Sequence, residues 1–346
     1  MAIYTVRRGL LIIKEVICMK KITCVGYHDT GSSVVDDLFR EFPCFAQGGV
    51  DKECRFLQDP DGVADLEFNL VENPHRLNSG FALKRFRMMA KENHRVYEKI
   101  FGKSWMQHVD EYLADITKLK YKGYWHGDIW LLNPLVKNFH WFRRGINKVL
   151  PKSIAKPYWY NYFPKLETYH CCINEEEFLK KTKAFMERLC AELAEHGTEY
   201  ILLDQLVHPN NVPRYLRYVN DLKVVIVDRD PRDIYIEEMR YKEHILPTDP
   251  YVFCEVYRDS RKNKHDYENP DVVLRINFED MIYHYEKSVK TLCEFVGVSA
   301  KQHKYPKKYF NPAISIKNTK FWERYSQYDE AIKIIEKELP DFLYKY

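Results

Sequence analysis

A short apolar strand that runs into a glycine-bounded loop, and from there straight into a helix, constrains this chain more than any other feature. The stretch reads Ile22-Thr23-Cys24-Val25-Gly26-Tyr27-His28-Asp29-Thr30-Gly31-Ser32-Ser33-Val34-Val35-Asp36-Asp37-Leu38. The spacing Gly26-x4-Gly31 is that of a phosphate-binding loop, in which backbone N–H groups and a helix start converge on an anion. The next residue, however, is Ser32. A nucleotide hydrolase of the Walker type needs a lysine there for the terminal phosphates. The loop keeps the cradle and the hydroxyls of Thr30, Ser32 and Ser33, which points to a phosphate-bearing ligand other than a metal-clamped triphosphate. The plainer alternative is a strand–turn–helix whose glycines serve only tight geometry.

The rest of the sequence gives that loop an α/β setting. After a first helix over 34–42, helices are expected at 64–71, 79–101, 106–119 and 175–196. Strands are expected at Tyr200–Asp204, Val224–Val227 and Val272–Ile276, with helices near 212–220, 283–296 and 328–339. Continuous apolar strands separated by helices predict a parallel sheet, like that of the P-loop nucleotide-binding proteins, flanked by helices on both faces. With 346 residues, 45% of them hydrophobic, one large domain over 19–346 is expected. Between Lys118 and Lys165 the character changes: ten Lys/Arg, a single acid (Asp128), and aromatics throughout, from Tyr121, Tyr124, Trp125 and Trp130 to Tyr158, Trp159, Tyr160, Tyr162 and Phe163. Helix signals are weak there, so 118–170 is expected to be an aromatic and basic insertion on the acceptor side.

Composition excludes several classes. A net charge of +4 gives no argument for nucleic acid. The nine cysteines lack CxxC or zinc spacing, so reduced thiols in the cytoplasm are the simplest expectation, with no metal site. No stretch approaches the roughly 20 apolar residues that span a bilayer. Residues 1–18 are expected to be a non-native or disordered extension, with translation starting at Met19. The oligomeric state is not legible.

Three further elements sit where strands end, and ligands of open α/β sheets bind there. They are Arg229-Asp230-Pro231-Arg232-Asp233, Asn277-Phe278-Glu279-Asp280-Met281-Ile282, and Ser315-Ile316-Lys317-Asn318-Thr319-Lys320-Phe321-Trp322. Arginine forks match phosphate oxygens, although pairing with Asp228, Asp230 or Asp233 is an equally ordinary use of Arg229 and Arg232. In this order, the loop and the three elements resemble the sulfotransferases that use 3′-phosphoadenosine 5′-phosphosulfate (PAPS). The resemblance spans roughly residues 20–45 and 198–325.

It implies PAPS as co-substrate, without a metal, and a sulfuryl group moved to a hydroxyl. It also implies donor contacts from His28, Asp29, Thr30, Gly31, Ser32, Ser33, Arg229, Arg232, Lys317 and Lys320. Two positions depart from the family pattern: Asp29 stands where Lys or Arg is usual, and Glu237 where a serine is usual. Glu237 is expected to face away from the donor. Glu53 is the expected general base, against Glu67, His75 and His126. His126, in the aromatic and basic insertion, is carried as a second catalytic candidate, although an acceptor-binding or structural role suits it better. The aromatic and cationic insertion suits a saccharide or polysaccharide acceptor. The rival functions are a small-molecule P-loop kinase and a non-catalytic binder of nucleotide or glycan.

Overall fold

Five parallel strands carry the architecture, in the spatial order β2-β3-β1-β4-β5. They are β1 (Lys20–Gly26), β2 (Phe45–Gln47), β3 (Tyr200–Asp204), β4 (Leu222–Asp228) and β5 (Val273–Asn277). This computed structural model describes residues 4–7, 10–13, 19–75, 78–123, 125–151, 153, 166–241, 245–262 and 268–346. The expected extension over 1–18 lies largely outside those residues. Within it only the strands Tyr4–Arg7 and Leu10–Ile13 are described, paired antiparallel.

The sheet forms because β1, β3 and β4 each carry a largely apolar run, with Lys21 and Thr23 of β1 buried among it. Ile22, Cys24, Val25, Ile201, Val224, Val225, Ile226 and Val227 are all fully buried, as strands covered on both faces require. Against one face pack α1 (Ser33–Phe39) and the later helix Tyr285–Val296, through Val35, Leu38, Phe39, Leu292 and Val296. The edge strand β2 has no sequence signature: it is three residues long and only half-buried. Register aligns the carboxyl ends, with Gly26 beside Val227 and Asp228 beside Asn277. Everything that leaves β1, β4 and β5 therefore starts along one edge.

A second core holds the later part of this unit. Helices α2 (Pro231–Tyr241), α3 (Pro250–Asp259) and α4 (Asp329–Glu338) bury Ile234, Ile236, Phe253, Tyr257, Ile332 and Ile335 around Phe321. The loop over 303–310 closes on a single buried carboxylate. Glu41 accepts from the backbone N–H groups of Lys307, Tyr309 and Phe310 at 3.0–3.1 Å and lies 2.6 Å from His303 Nε2. Buried charge of this kind persists only when its lone pairs are satisfied.

The chain divides into two compact units, Met1–Cys54 with Cys190–Tyr346, which carries the sheet, and Arg55–Leu189. This boundary falls earlier than 118. The second unit is helical: Val63–Glu67, which continues as a π turn over Phe68–Glu72, then Asn78–Glu92, His94–Phe101, Trp105–Ile116, Pro134–Val149 and Glu175–Leu193. One antiparallel pair, Leu119–Lys122 with Glu167–His170, joins them. Its core is aromatic. Tyr112 stacks on Phe185 at 4.6 Å and donates or accepts a bond with Thr182 Oγ1, while Trp105 Nε1 donates to the carbonyl of Ala90. Tyr112 and Trp105 are thus core residues with their polar atoms satisfied.

The 16-residue helix Pro134–Val149 lies where helix signals were judged weak. Its aromatic and branched residues lower propensity, but Asn133 caps the Leu135 N–H at 2.9 Å and Pro134 occupies the first turn. That Asn-Pro pair was the available signal. Tyr124, Tyr158, Trp159, Tyr160, Tyr162 and Phe163 lie outside the described residues. No helix among the described residues is long and apolar enough to cross a membrane, and their eight cysteines are free thiols.

Candidate active site

The loop leaves β1 at Gly26 and reaches α1 at Ser33, with Asp29 and Gly31 both in the left-handed region (φ 50° and 76°). Both flanking glycines are demanded by contact. A Cβ on Gly26 would lie 2.0 Å from Thr30 Oγ1, and one on Gly31 would lie 2.6 Å from the Phe278 ring. Phe278 follows β5, so the aromatic of the Phe278–Met281 element braces the loop from below. Thr30 is 2% exposed and its Oγ1 has no hydrogen-bond partner. A buried hydroxyl in that state is an ordinary sign of a ligand's place. Ser32 Oγ accepts from Gln205 Nε2 at 2.8 Å, and Gln205 itself adopts a positive φ at the end of β3. Ser33 is exposed at the helix start, and no side chain caps α1.

Arg229, just past β4, is 4% exposed and fastens the loop to the late basic segment. Its Nη1 donates to the Asp29 carbonyl at 2.8 Å and its Nη2 to the Asn318 carbonyl at 2.6 Å. The guanidinium lies 4.9 Å from the Phe278 ring centroid and pairs with the Glu237 carboxylate. Glu237 therefore does not face away. From within α2, eight residues after Arg229, it takes the place where an anion would compete for the same fork. Arg229 Nε is buried and has no partner.

Arg232 has the ordinary use. It grips Asp230 through Nε and Nη2, reaches Glu336 at 2.8 Å, and lies 3.7 Å from the Trp322 ring centroid. Lys317 is exposed, and Lys320 adopts a positive φ with its ammonium 4.4 Å from the Tyr346 ring centroid.

The late segment is placed by Asp233, which accepts from the N–H groups of Lys320 and Phe321 at 3.0 and 2.7 Å. Burial pushes the Asp233 carboxyl up to about 7. Glu279 is fully buried, accepts from the Asp230 N–H at 2.9 Å, and burial pushes it up to about 8. Behind the loop, Asp36 of α1 is buried; burial, and then the neighbouring Asp204 carboxylate of β3, hold its carboxyl well above its ordinary value. The sequence reading missed the roles of Gln205 and Asp233, while the Asn277–Ile282 element already marks Glu279 for a structural part. Asp233 left a signal as the last residue of the Arg229–Asp233 turn.

Of the proton-transfer candidates, Glu53 is exposed, next to Cys54, whose N–H donates to the Asp204 carbonyl at 2.7 Å at the carboxyl end of β3. Glu67 is buried in the helix Val63–Glu67, and His75 is exposed. His126 opens a short 3-10 turn, and its side chain lies outside the described residues.

The family model for the sulfotransferase domain matches residues 142–323, more than half of the chain. The chain belongs to the sulfotransferase family. This sulfotransferase uses PAPS as its sulfuryl donor. The matched span contains Arg229, Arg232, Lys317 and Lys320 and stops short of the loop 26–33. Among solved structures, the chain is similar to the sulfotransferase domain of the Synechococcus olefin synthase, at 12% identity and TM-score 0.39 over 87% of each chain. It is similar to the sulfotransferase domain from the curacin biosynthetic pathway, at 11% and 0.41 over 92% of this chain and 96% of that one. A third is retinol dehydratase in complex with androsterone and the inactive cofactor PAP, at 13% and 0.34 over 100% and 91%. No curated protein matches the sequence.

Proposed function

We propose that this sulfotransferase transfers the sulfuryl group of PAPS to a hydroxyl of a saccharide or polysaccharide, with the loop 28–33 and Arg229 holding the donor phosphates. The observation that carries the donor assignment is the pair of orphaned donors on one edge of the sheet: the buried hydroxyl of Thr30 and the buried Nε of Arg229. The reaction is an in-line displacement at sulfur. The acceptor oxygen forms a bond to sulfur as the bond from sulfur to the phosphate oxygen breaks. The acceptor proton passes to a base, and the departing bisphosphate carries the new negative charge. Loop N–H groups, Thr30, Ser33 and Arg229 would meet that charge. Ser32 contributes through its backbone, since its hydroxyl already accepts from Gln205. In this reading Arg232 and Asp233 act one step removed, by fixing Trp322 and residues 320–321. Glu53 is the proposed base.

The saccharide acceptor is supported by the second unit. Trp130, Trp141 and Phe142 are exposed, and Lys137 and Arg144 lie 4.3 and 5.3 Å from the rings of Trp130 and Trp141. Flat exposed rings beside cations suit sugar faces bearing anionic groups. The unit also holds a cavity of about 530 Å³ lined in part by Lys84, Arg87, Lys118, Lys120 and Tyr169.

The test has two stages. Calorimetry with adenosine 3′,5′-bisphosphate should show binding that Arg229→Ala removes, with ATP and magnesium as the kinase control. Labelled sulfuryl transfer is then measured across a panel of neutral and anionic saccharides, phenols and sterols. Transfer confined to phenols or sterols would discard the saccharide reading. No bisphosphate binding would favour the non-catalytic relative, for which the Arg229–Glu237 pair is the observation in hand.

A further inference from the structure

Beside the loop, two neighbouring side chains of the loop itself, His28 and Asp29, meet the distant Glu238 from α2. Each offers one ligand atom, and these atoms all lie within 4.8 Å of one another. Glu238 is 1% exposed. Its Oε2 accepts from the Leu246 N–H at 3.2 Å, and its Oε1 is buried with no hydrogen-bond partner. His28 Nε2 is buried and likewise makes no hydrogen bond, with Asp29 Oδ2 3.3 Å away. A buried carboxylate oxygen and a ring nitrogen that make no hydrogen bond, gathered around a second carboxylate, leave room for a further partner.

The charge around them asks for a cation. Asp29 is faced by His28, Glu237, Arg229 and Glu238. Arg229 is the one full positive charge in that group, and it is committed to the Asp29 carbonyl, the Asn318 carbonyl and Glu237. That leaves Asp29 with the half-exposed His28 at 3.3 Å and the Glu238 Oε1 atom with no hydrogen-bond partner. They lie where the proposed donor would bring further negative charge.

The geometry points to a divalent-cation site formed by His28, Asp29 and Glu238. An octahedral ion with bonds of about 2.1 Å sets its ligands about 3 Å apart when adjacent and about 4.2 Å when opposite. Modest side-chain rotation of the half-exposed His28 and Asp29 brings the cluster into that range. One imidazole with two carboxylates and open positions for water suits a first-row divalent ion such as Mn²⁺, whereas magnesium favours all-oxygen shells. Its place beside the donor rests on the donor reading above. There the open positions would take phosphate oxygens and reconcile an acidic cluster with a polyanionic ligand. No zinc-type spacing joins residue 28 to residue 238, so chain order alone does not announce the cluster.

The test is Mn²⁺ alone, titrated into the full chain and followed by loss of the free-ion electron paramagnetic resonance signal. Mn²⁺ is chosen because Cys171 and Cys172 are not buried and would capture zinc. One ion per chain is expected, weakened about 10-fold or more by Glu238→Gln and by His28→Gln. Glutamine at 238 keeps an acceptor for the Leu246 N–H, and His28 is half-exposed, so both variants should fold. Circular dichroism checks that they do. No binding by the unaltered chain, or binding that neither variant weakens, overturns the site. Calorimetry with adenosine 3′,5′-bisphosphate, in Mn²⁺ and in EDTA, then separates the two readings. Tighter binding in Mn²⁺ supports the link to the donor, and equal binding removes that link while leaving the donor site standing. Mn²⁺ binding with no bisphosphate binding keeps the metal site and discards the donor reading.

Discussion

Replacing Glu237 by serine should pull stability and donor affinity in opposite directions. In the structure, Glu237 neutralises Arg229, which is 4% exposed. Removing one partner of a buried pair leaves a charge without compensation, and the cost is about 3 kcal/mol. The thermal midpoint of Glu237→Ser should therefore fall by several degrees in the absence of ligand. A phosphate on the Arg229 fork would lie about 5 Å from the Glu237 carboxylate. At an effective dielectric of about 20 that repulsion is about 3 kcal/mol per charge, and roughly half of it survives salt. Relief of that repulsion should tighten adenosine 3′,5′-bisphosphate about 10-fold or more. The bound nucleotide should also restore most of the lost thermal stability. Calorimetry and a thermal scan with and without the bisphosphate read both effects on the same sample. Unchanged or weaker affinity, alongside the expected loss of stability, would refute the assignment of Arg229 as a phosphate ligand and leave it purely structural.

Stability should decline from pH 5 to pH 8. Asp233 and Glu279 keep their protons in the native state up to about 7 and about 8, whereas in the unfolded chain they lose them near 4. The native state thus binds more protons in that window, and each group lowers stability by up to about 1.4 kcal/mol per pH unit as pH rises. Urea midpoints should fall accordingly and flatten in part in Glu279→Gln; midpoints that rise across this range would contradict the burial argument. Gly31→Ala should cost about 2 kcal/mol or more and weaken bisphosphate binding, because the new methyl group meets Phe278 at a positive φ. Restoration of urea stability by adding Phe278→Leu would confirm the contact. Glu41→Ala should destabilise by about 3 kcal/mol by stranding three backbone N–H groups of the 307–310 loop, without changing bisphosphate affinity.

The sheet was legible because apolar continuity is a local property. Val224–Val227 and Tyr200–Asp204 could belong to nothing but buried strands, and the glycine spacing fixed the loop after β1. The short strand Phe45–Gln47 was invisible, since its pairing with Tyr200–Leu202 comes from a partner 155 residues away. The site was legible in its residue types and misread in its pairings. Arg229 and Arg232 look equivalent in sequence. Yet one clasps two loops, while the other is held by Asp230 and Glu336 against Trp322. Glu237 was expected to turn outward because a carboxylate beside a phosphate is repelled. The pull of Arg229 on Glu237 decides otherwise. Such choices depend on side chains converging from distant segments, and no window of sequence contains them.

The order of assembly also follows from the sheet. The strand β1, synthesised near the start, lies between β3 and β4, which emerge after about 180 further residues. Arg229 then waits for the carbonyl of Asn318, and Asp230 for the N–H of Tyr344. The loop after Gly26 is therefore made long before the segments that surround it. Its strand must stay unpaired until β3 and β4 have followed it.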